Sequence, residues 1–381
     1  MNKETLYAIA LSRIKGIGIS NALMLYKLVG SATYLFESLP DLRKEYGSSI
    51  RPRVFNLLDG GAMAAVKEAE QEAIFCEKHG IEVLDFAHSC YPSRLQMCED
   101  APLVLYYRGN ADLNALHVLS IVGTRHATEY GKDVCQRFVS DLARLFPDSL
   151  VVSGLAYGID ISAHRAALNA GLPTVAVLAH GLDRIYPYTH RDTAKAMIGQ
   201  GGLLTEFPIN TNPDRGNFVR RNRIVAGLAD AVIVVESGHK GGSIITARLA
   251  SSYGRQVFAF PGRIFDEYSQ GCIDLLRNNI AGVVTDAESL AIEMGWLTEQ
   301  QRQTALSNPV QAELFPDLTD EEMAVVNVLK NQENLSMNEI SQQTEIPLGI
   351  LVTLLLQMEM KGLVKALPGN RYRAVSKILC K

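Results

Sequence analysis

The 381-residue sequence predicts an α/β fold built on a parallel sheet. The first observation is a set of apolar runs at Leu150–Val152, Thr174–Leu178 and Ala231–Val235, each short and bounded by turn residues. Helix-length segments separate them, which is the pattern of strands buried on both faces. The second is the loop after each run: Ser153-Gly154-Leu155-Ala156-Tyr157-Gly158, Ala179-His180-Gly181-Leu182-Asp183 and Glu236-Ser237-Gly238-His239-Lys240-Gly241-Gly242-Ser243. The third is a further run, Val118–Val122, that leads through Gly123-Thr124-Arg125 into a helical pattern from Glu129 to Phe146. Parallel sheets bind ligands beyond the carboxyl ends of their strands, so residues 151–262 are where a binding site is expected.

Two smaller regions flank this sheet domain. Apolar residues recur with helical spacing from Lys3 to Ile14, Lys15-Gly16-Ile17-Gly18-Ile19-Ser20 interrupts them, and a second helix runs from Asn21 to Val29. This is the shape of a helix-hairpin-helix, whose glycines let backbone N–H groups face a phosphate, although the same hairpin also serves as plain packing. Residues 51–82 read as further helix, punctuated at Gly60-Gly61, and close a helical domain spanning 1–82. The sheet domain spans 83–297; its first part, 83–110, reads as a linker packed onto it and carries the strand Leu103–Tyr107.

Residues 298–316, with Pro309 and Pro316 among polar residues, read as a second linker. The last domain, 317–381, holds helical patterns at Asp320–Lys330, Met337–Thr344 and Leu348–Met360, with Thr319 and Ser336 as N-caps, then a hairpin around Leu367-Pro368-Gly369-Asn370. Three helices and a hairpin make a winged helix. Its third helix is rich in Leu and Met, whereas reading bases calls for a row of Arg, Asn or Gln, so sequence-specific recognition is not expected of it.

A net charge of −4 excludes a uniformly basic nucleic-acid coat. Charge is uneven, however: between Arg215 and Arg255 seven basic residues face only Asp230 and Glu236. Such a patch suits a localised anionic partner, phosphate above all. The six cysteines form no C-x-x-C pair and read as reduced thiols. Lys3 and Glu4 interrupt any signal peptide, and no run approaches the roughly 20 apolar residues of a membrane span, so a soluble cytoplasmic protein is expected.

The candidate site is assembled from these loops. Gly154-x-x-x-Gly158 admits two readings, an anion-binding loop at a helix start or a tight strand-to-helix turn. Arg220, Arg221 and Arg223, with Asn222 among them, cannot all be buried unpaired and must meet acids, water or phosphate. On a helix Arg220 and Arg223 share a face while Arg221 lies about 100° away, which marks Arg221 as the structural ion-pair partner. The expected anionic-backbone site therefore joins Gly123, Thr124 and Arg125, Ser153, Gly154 and Gly158, the Arg220–Arg223 segment, and Lys240, Gly241, Gly242 and Ser243. No G-x-G-x-x-G comes after Val118–Val122, so neither NAD nor FAD is expected. His164, His180 and His190 read as structural; no catalytic residue, cofactor or metal is expected.

Several linked motifs resemble the DprA/Smf family of DNA-processing proteins. They are Ser153-Gly154-x-Ala156-x-Gly158-Ile159-Asp160-x-x-Ala163-His164, Gly181-Leu182-Asp183-x-x-Tyr186-Pro187, Arg221-Asn222-Arg223-Ile224-Val225-Ala226-Gly227-Leu228, Gly242-Ser243-x-Ile245-Thr246-Ala247 and Phe260-Pro261-Gly262. The match runs from about Tyr91 to Leu290 and departs from the family at Ile273 and at Asn278-Asn279-Ile280. The resemblance implies an extended Rossmann-like domain that binds single-stranded DNA, forms a homodimer and promotes RecA loading in natural transformation. It also implies that the arginine of Gly123-Thr124-Arg125 contributes to the DNA pocket. An enzymatic alternative on the same scaffold resembles the "lonely guy" phosphoribohydrolases, whose Gly-Gly-x-Gly-Thr-x-x-Glu loop carries a reactive glutamate. Here Thr246 stands at that position, and a threonine cannot replace an ionised acid in proton transfer.

Overall fold

The helical start of the chain packs against the sheet rather than standing apart from it. The computed structural model describes residues 1–297, 318–331, 334–361, 363–367 and 369–374, so the linker expected at 298–316 lies outside the described residues. Two compact units divide the chain, Met1–Leu297 and Thr298–Lys381. In the first, α1 (Lys3–Arg13), α2 (Ile19–Val29), α3 (Ala32–Glu37), α4 (Leu39–Tyr46) and α5 (Pro52–His79) precede the sheet. Asn2 caps α1 by accepting the Thr5 amide at 2.7 Å. α5 runs unbroken through Gly60-Gly61, contrary to the punctuation expected there: Ile14 packs onto Gly61, and Arg13 reaches across to Glu68 and Glu72. Tertiary packing of α1 along α5 outweighs the weak helix propensity of two glycines.

The strands and their connections are, in order, β1 (Glu82–Asp85), α6 (Ser93–Gln96), β2 (Val104–Gly109), β3 (Val118–Val122), α7 (Glu129–Leu145), β4 (Leu150–Ser153), α8 (Ile159–Asn169), β5 (Thr174–Val177), α9 (Arg191–Gly199) and β6 (Gly201–Thr205). They continue with α10 (Arg215–Leu228), β7 (Ala231–Val234), α11 (Gly242–Ser252), β8 (Gln256–Ala259), α12 (Gln270–Arg277), β9 (Gly282–Val283) and α13 (Ala287–Glu293). Among the described residues nine strands form one sheet, in the order β1-β2-β6-β5-β4-β3-β7-β8-β9. Pairing is parallel from β6 to β9, while β2 joins β6 and β1 joins β2 antiparallel. Residues 83–110 are therefore not a linker, because β2 continues the sheet beside β6. One sheet face shares a continuous apolar core with α1, α2 and α5, and the other packs against α7, α8 and α13.

The second unit contains α14 (Asp320–Asn331), β10 (Leu335–Ser336), α15 (Met337–Thr344), α16 (Leu348–Met360), β11 (Val364–Leu367) and β12 (Arg371–Ala374), a winged helix. Thr319 accepts the Glu322 amide and Ser336 forms a capping box with Glu339, as expected of both. α16 leaves Leu348, Val352, Leu356 and Met360 exposed at intervals of one helical turn, an apolar row where a base-reading helix would carry donors. Among the described residues no helix is long and apolar enough to cross a membrane.

One buried group sets a pH limit on the sheet. His164 is buried on α8 with Nδ1 2.8 Å from the Thr174 hydroxyl oxygen, which donates its own proton to the Val151 carbonyl. The imidazole N–H thus belongs on Nδ1, and Nε2 has no partner. A proton there would be a buried charge without an acceptor, and burial, with Arg221 and His190 adding to it, pushes the pKa down to about 3. Unfolded histidine charges near pH 6.5, so this group's share of stability falls as pH drops from there toward about 3, by up to about 1.4 kcal/mol per pH unit. In urea titrations at about pH 7 and about pH 5, His164→Gln should lose less stability on acidification than the parent. Equal losses would mean that the folded protein protonates His164 freely.

Candidate nucleic-acid interface

The chain lays down β3, β4, β5 and β6 in one direction across the sheet and then returns to place β7 on the other side of β3. The loops after β3 and β7 diverge at this reversal and open a crevice at the carboxyl edge, the ordinary binding position of such sheets. A cleft of about 660 Å³ occupies it. Its walls come from the Gly123–His126 loop, one face of α10 and the start of α11, and its floor from Gly154, Ala156 and Asp160.

The floor is organised by charge. Arg221 is 4 % exposed, donates to the Val177 carbonyl and lies so close to Gly154 that any Cβ there would collide with its guanidinium group. Asp160, also buried, accepts the Gly154 amide at 3.2 Å together with the Ala156 amide. Burial raises the Asp160 pKa, while Arg221 and these donors oppose the rise. Gly158 turns the chain into α8 with φ +80, and a Cβ there would strike the Thr124 carbonyl. Of the two readings of the Gly154–Gly158 loop, the structure supports the tight turn: Asp160 already holds the amides that an anion would need. Ser153 is likewise buried, its hydroxyl donating to the Ile121 carbonyl at 2.6 Å.

Glu236 braces the neighbouring wall. Its carbonyl accepts the Thr124 amide at 2.7 Å, and its buried carboxylate accepts the Thr128 amide and hydroxyl at the start of α7. The carboxylate is stabilised there by the positive end of the helix. Across the cleft, Ser243 donates to Ser237 at 2.7 Å, and Asn222 reaches the Gly242 carbonyl at 3.5 Å. The first-turn amides of α11 receive no side-chain cap and no acid lies among them, so the end that opens on the cleft keeps its preference for anions. Thr246, the position of the enzymatic alternative, is buried with its hydroxyl 3.3 Å from the Gly242 carbonyl.

Arg125, Arg215 and Lys240 are exposed on the cleft and form no salt bridge among the described residues. The Arg125 guanidinium lies over the Phe218 ring, 5.2 Å from its centroid. Arg220 and Arg223 are not part of this wall. Both pair with the buried carboxylate of Glu206, at 2.7 and 2.6 Å, on the far side of α10. Helical periodicity puts these two on one face as expected, but that face meets an acid, Glu206, while Arg221 lines the cleft, buried with Asp160 as its counter-charge. The structure thus gathers Gly123, Thr124, Arg125, Gly154, Arg221, Asn222, Lys240, Gly241, Gly242 and Ser243 around the cleft, and leaves Ser153, Gly158, Arg220 and Arg223 off it. Phe218, Arg215, His126 and Asp160 also line it, although the sequence alone does not single them out as its residues.

A doubly wound, mostly parallel sheet with exposed cations in the crevice at its strand reversal defines a Rossmann-like fold. Residues 82–295 match the family model of DNA recombination-mediator protein A, and residues 309–370 match the DprA winged helix domain. The chain is 34% identical over 316 residues to protein Smf of Escherichia coli (strain K12), covering 81% of each. It is similar to the X-ray structure of DNA processing protein A from Streptococcus pneumoniae, with TM-score 0.63 and 31% identity over 77% of this chain and 99% of that one. It is also similar to DNA processing protein A from Helicobacter pylori, whose structure addresses a single-stranded DNA binding mode, with TM-score 0.51 and 29% identity over 56% and 95%. The chain belongs to the DprA/Smf family of DNA recombination mediators.

Two glycines separate packing from ligand approach. Gly154→Ala must displace Arg221 and should lower stability by about 1–3 kcal/mol in urea denaturation. Gly242→Ala meets nothing within 4 Å and should keep the parent's midpoint. Equal midpoints for the two variants would contradict the packing of Arg221 beneath Gly154.

Proposed function

We propose that this protein binds single-stranded DNA in the cleft between β3 and β7 and, as a homodimer, helps to load RecA on that strand during DNA uptake in natural transformation. The observation that carries the reading is the juxtaposition of unpaired Arg125, Arg215 and Lys240 with the Phe218 ring at the cleft mouth. Cations and helix-end amides track a phosphate backbone, while an aromatic ring offers a base a stacking face that a closed duplex cannot use. The single-strand binding of the Helicobacter pylori relative supports the same assignment. The RecA step rests on membership in a recombination-mediator family. Its test is whether the protein speeds RecA filament growth on strands covered by a single-strand-binding protein, and a sedimentation mass of one chain would refute the dimer.

No catalysis is assigned to the cleft. Glu236 is committed to Thr128, Asp160 to loop amides and Thr246 to its own helix, which leaves no free carboxylate among the described residues of the cleft. Incubation with purine and pyrimidine monophosphates should release no free base.

Salt dependence separates cleft arginines from the pair on the far side of α10. Each lost phosphate contact should flatten the slope of log K against log salt for a single strand by about 0.7. Fluorescence anisotropy with labelled oligodeoxythymidylate should show this flattening for Arg125→Ala, Arg215→Ala and Lys240→Ala, and a larger affinity loss for Arg125→Glu, which adds repulsion. Arg220→Ala, whose partner is Glu206, should keep the parent's slope. A flattened slope for Arg220→Ala with unchanged slopes for the other three would move the strand to the opposite flank of α10.

A further inference from the structure

Beyond the cleft, the loops after β4 and β5 carry an aromatic surface that the cleft itself does not use. Tyr157, Tyr186 and Tyr188 are 47, 46 and 72 % exposed, whereas Tyr26, Tyr91, Tyr106 and Tyr107 are buried. Exposed rings on two adjoining loops suit a contact surface better than isolated surface residues do. The loops that carry them are also held from beneath. The Tyr186 amide donates to His180 Nε2 at 3.2 Å, and buried His190 sits 2.8 Å from the Leu155 carbonyl, tying the two loops together. The Tyr157 ring meets His190 edge to face, with centroids 5.0 Å apart. Arg191 lies beside the Tyr188 ring, 5.7 Å from its centroid, and donates to its hydroxyl at 3.1 Å.

This surface is continuous with the cleft. The Tyr186 ring lies 5.9 Å from Phe218, which in turn lies under Arg125. Resting on the single-strand reading above, we infer that the strand leaves the cleft over Phe218 and continues onto Tyr186, Tyr157 and Tyr188, whose rings stack its bases. Stacking suits a protein without base readout because every base has a π-face. Rings held in place before binding lose little entropy when a base arrives. Arg191, cationic and next to the outermost ring, is placed to meet the phosphate beside that base. The bound length is then set by the cleft and the platform together, and the tyrosines contribute affinity only when the strand is long enough to reach them.

The test compares labelled oligodeoxythymidylates of about 5 and about 15 nucleotides, lengths that bracket ordinary single-strand sites. On the long strand, Tyr188→Ala and the double variant Tyr157→Ala/Tyr188→Ala should lose about fivefold or more in affinity per ring, with the parent's salt slope, because stacking releases no counterions. On the short strand they should bind like the parent, and Tyr188→Phe should keep full affinity on both. As a second readout, the indole of Tyr188→Trp should be quenched by the long strand and not by the short one, above the constant signal of the chain's one native tryptophan. Parent-like affinity of the alanine variants on the long strand, or losses accompanied by a slope flattened by about 0.7, overturns the stacking platform and leaves the cleft intact. Failure of the parent to bind either strand overturns the functional reading itself, and the platform with it.

Discussion

Arg221 is a guanidinium group buried at the carboxyl edge of a parallel sheet, and the cleft is built around keeping it there. An isolated buried charge is prohibitively unfavourable, so each neighbour answers it: the Val177 carbonyl accepts from it, Asp160 lies nearby as counter-charge, and Gly154 gives up its side-chain space. Asp160 in turn gathers the amides of the loop after β4, which fixes that loop as the cleft floor. A positive charge held in a water-poor floor projects its field through the cleft opening more strongly than the same charge on the surface.

The second arginine pair explains how a chain of net charge −4 presents a cationic site. Arg220 and Arg223 share Glu206, so half of their charge is compensated, while Arg125, Arg215 and Lys240 form no salt bridge among the described residues. Charge is thereby concentrated in one opening, which favours a strand that enters it over contact with the general surface. The winged helix offers a different chemistry: the exposed row Leu348, Val352, Leu356 and Met360 on α16 has little to give a phosphate or a base edge.

Much of this is legible in the sequence, for identifiable reasons. Strands β3, β4, β5 and β7 are buried on both faces and read as mainly apolar runs, and the glycine-rich or arginine-bearing loops after β3, β4 and β7 mark the cleft. Strand β6 escapes such a reading because Gly201-Gly202 opens it; both glycines pack against neighbouring strands, at Thr174 and Tyr107, rather than forming a turn. Strand β2 reads as part of a linker because its neighbour in the sheet, β6, lies almost one hundred residues downstream. The arginine segment shows the limit most clearly. Periodicity assigns the faces of α10 correctly, but the faces do not say which one meets an acid, and nothing in the sequence marks Glu206 as that acid. Asp160 is within reach of sequence reasoning: an acid just after Gly158 in a strand-to-helix turn is positioned to take that turn's amides for itself.

Amide hydrogen exchange read by mass spectrometry, with and without saturating oligodeoxythymidylate, tests most directly whether the strand lies in the cleft. New protection is expected in peptides covering 123–128, 215–222 and 240–246, with residues 15–20 and 348–360 unchanged. Protection confined to the N-terminal hairpin or to α16, with the cleft peptides exchanging as in the free protein, would contradict it.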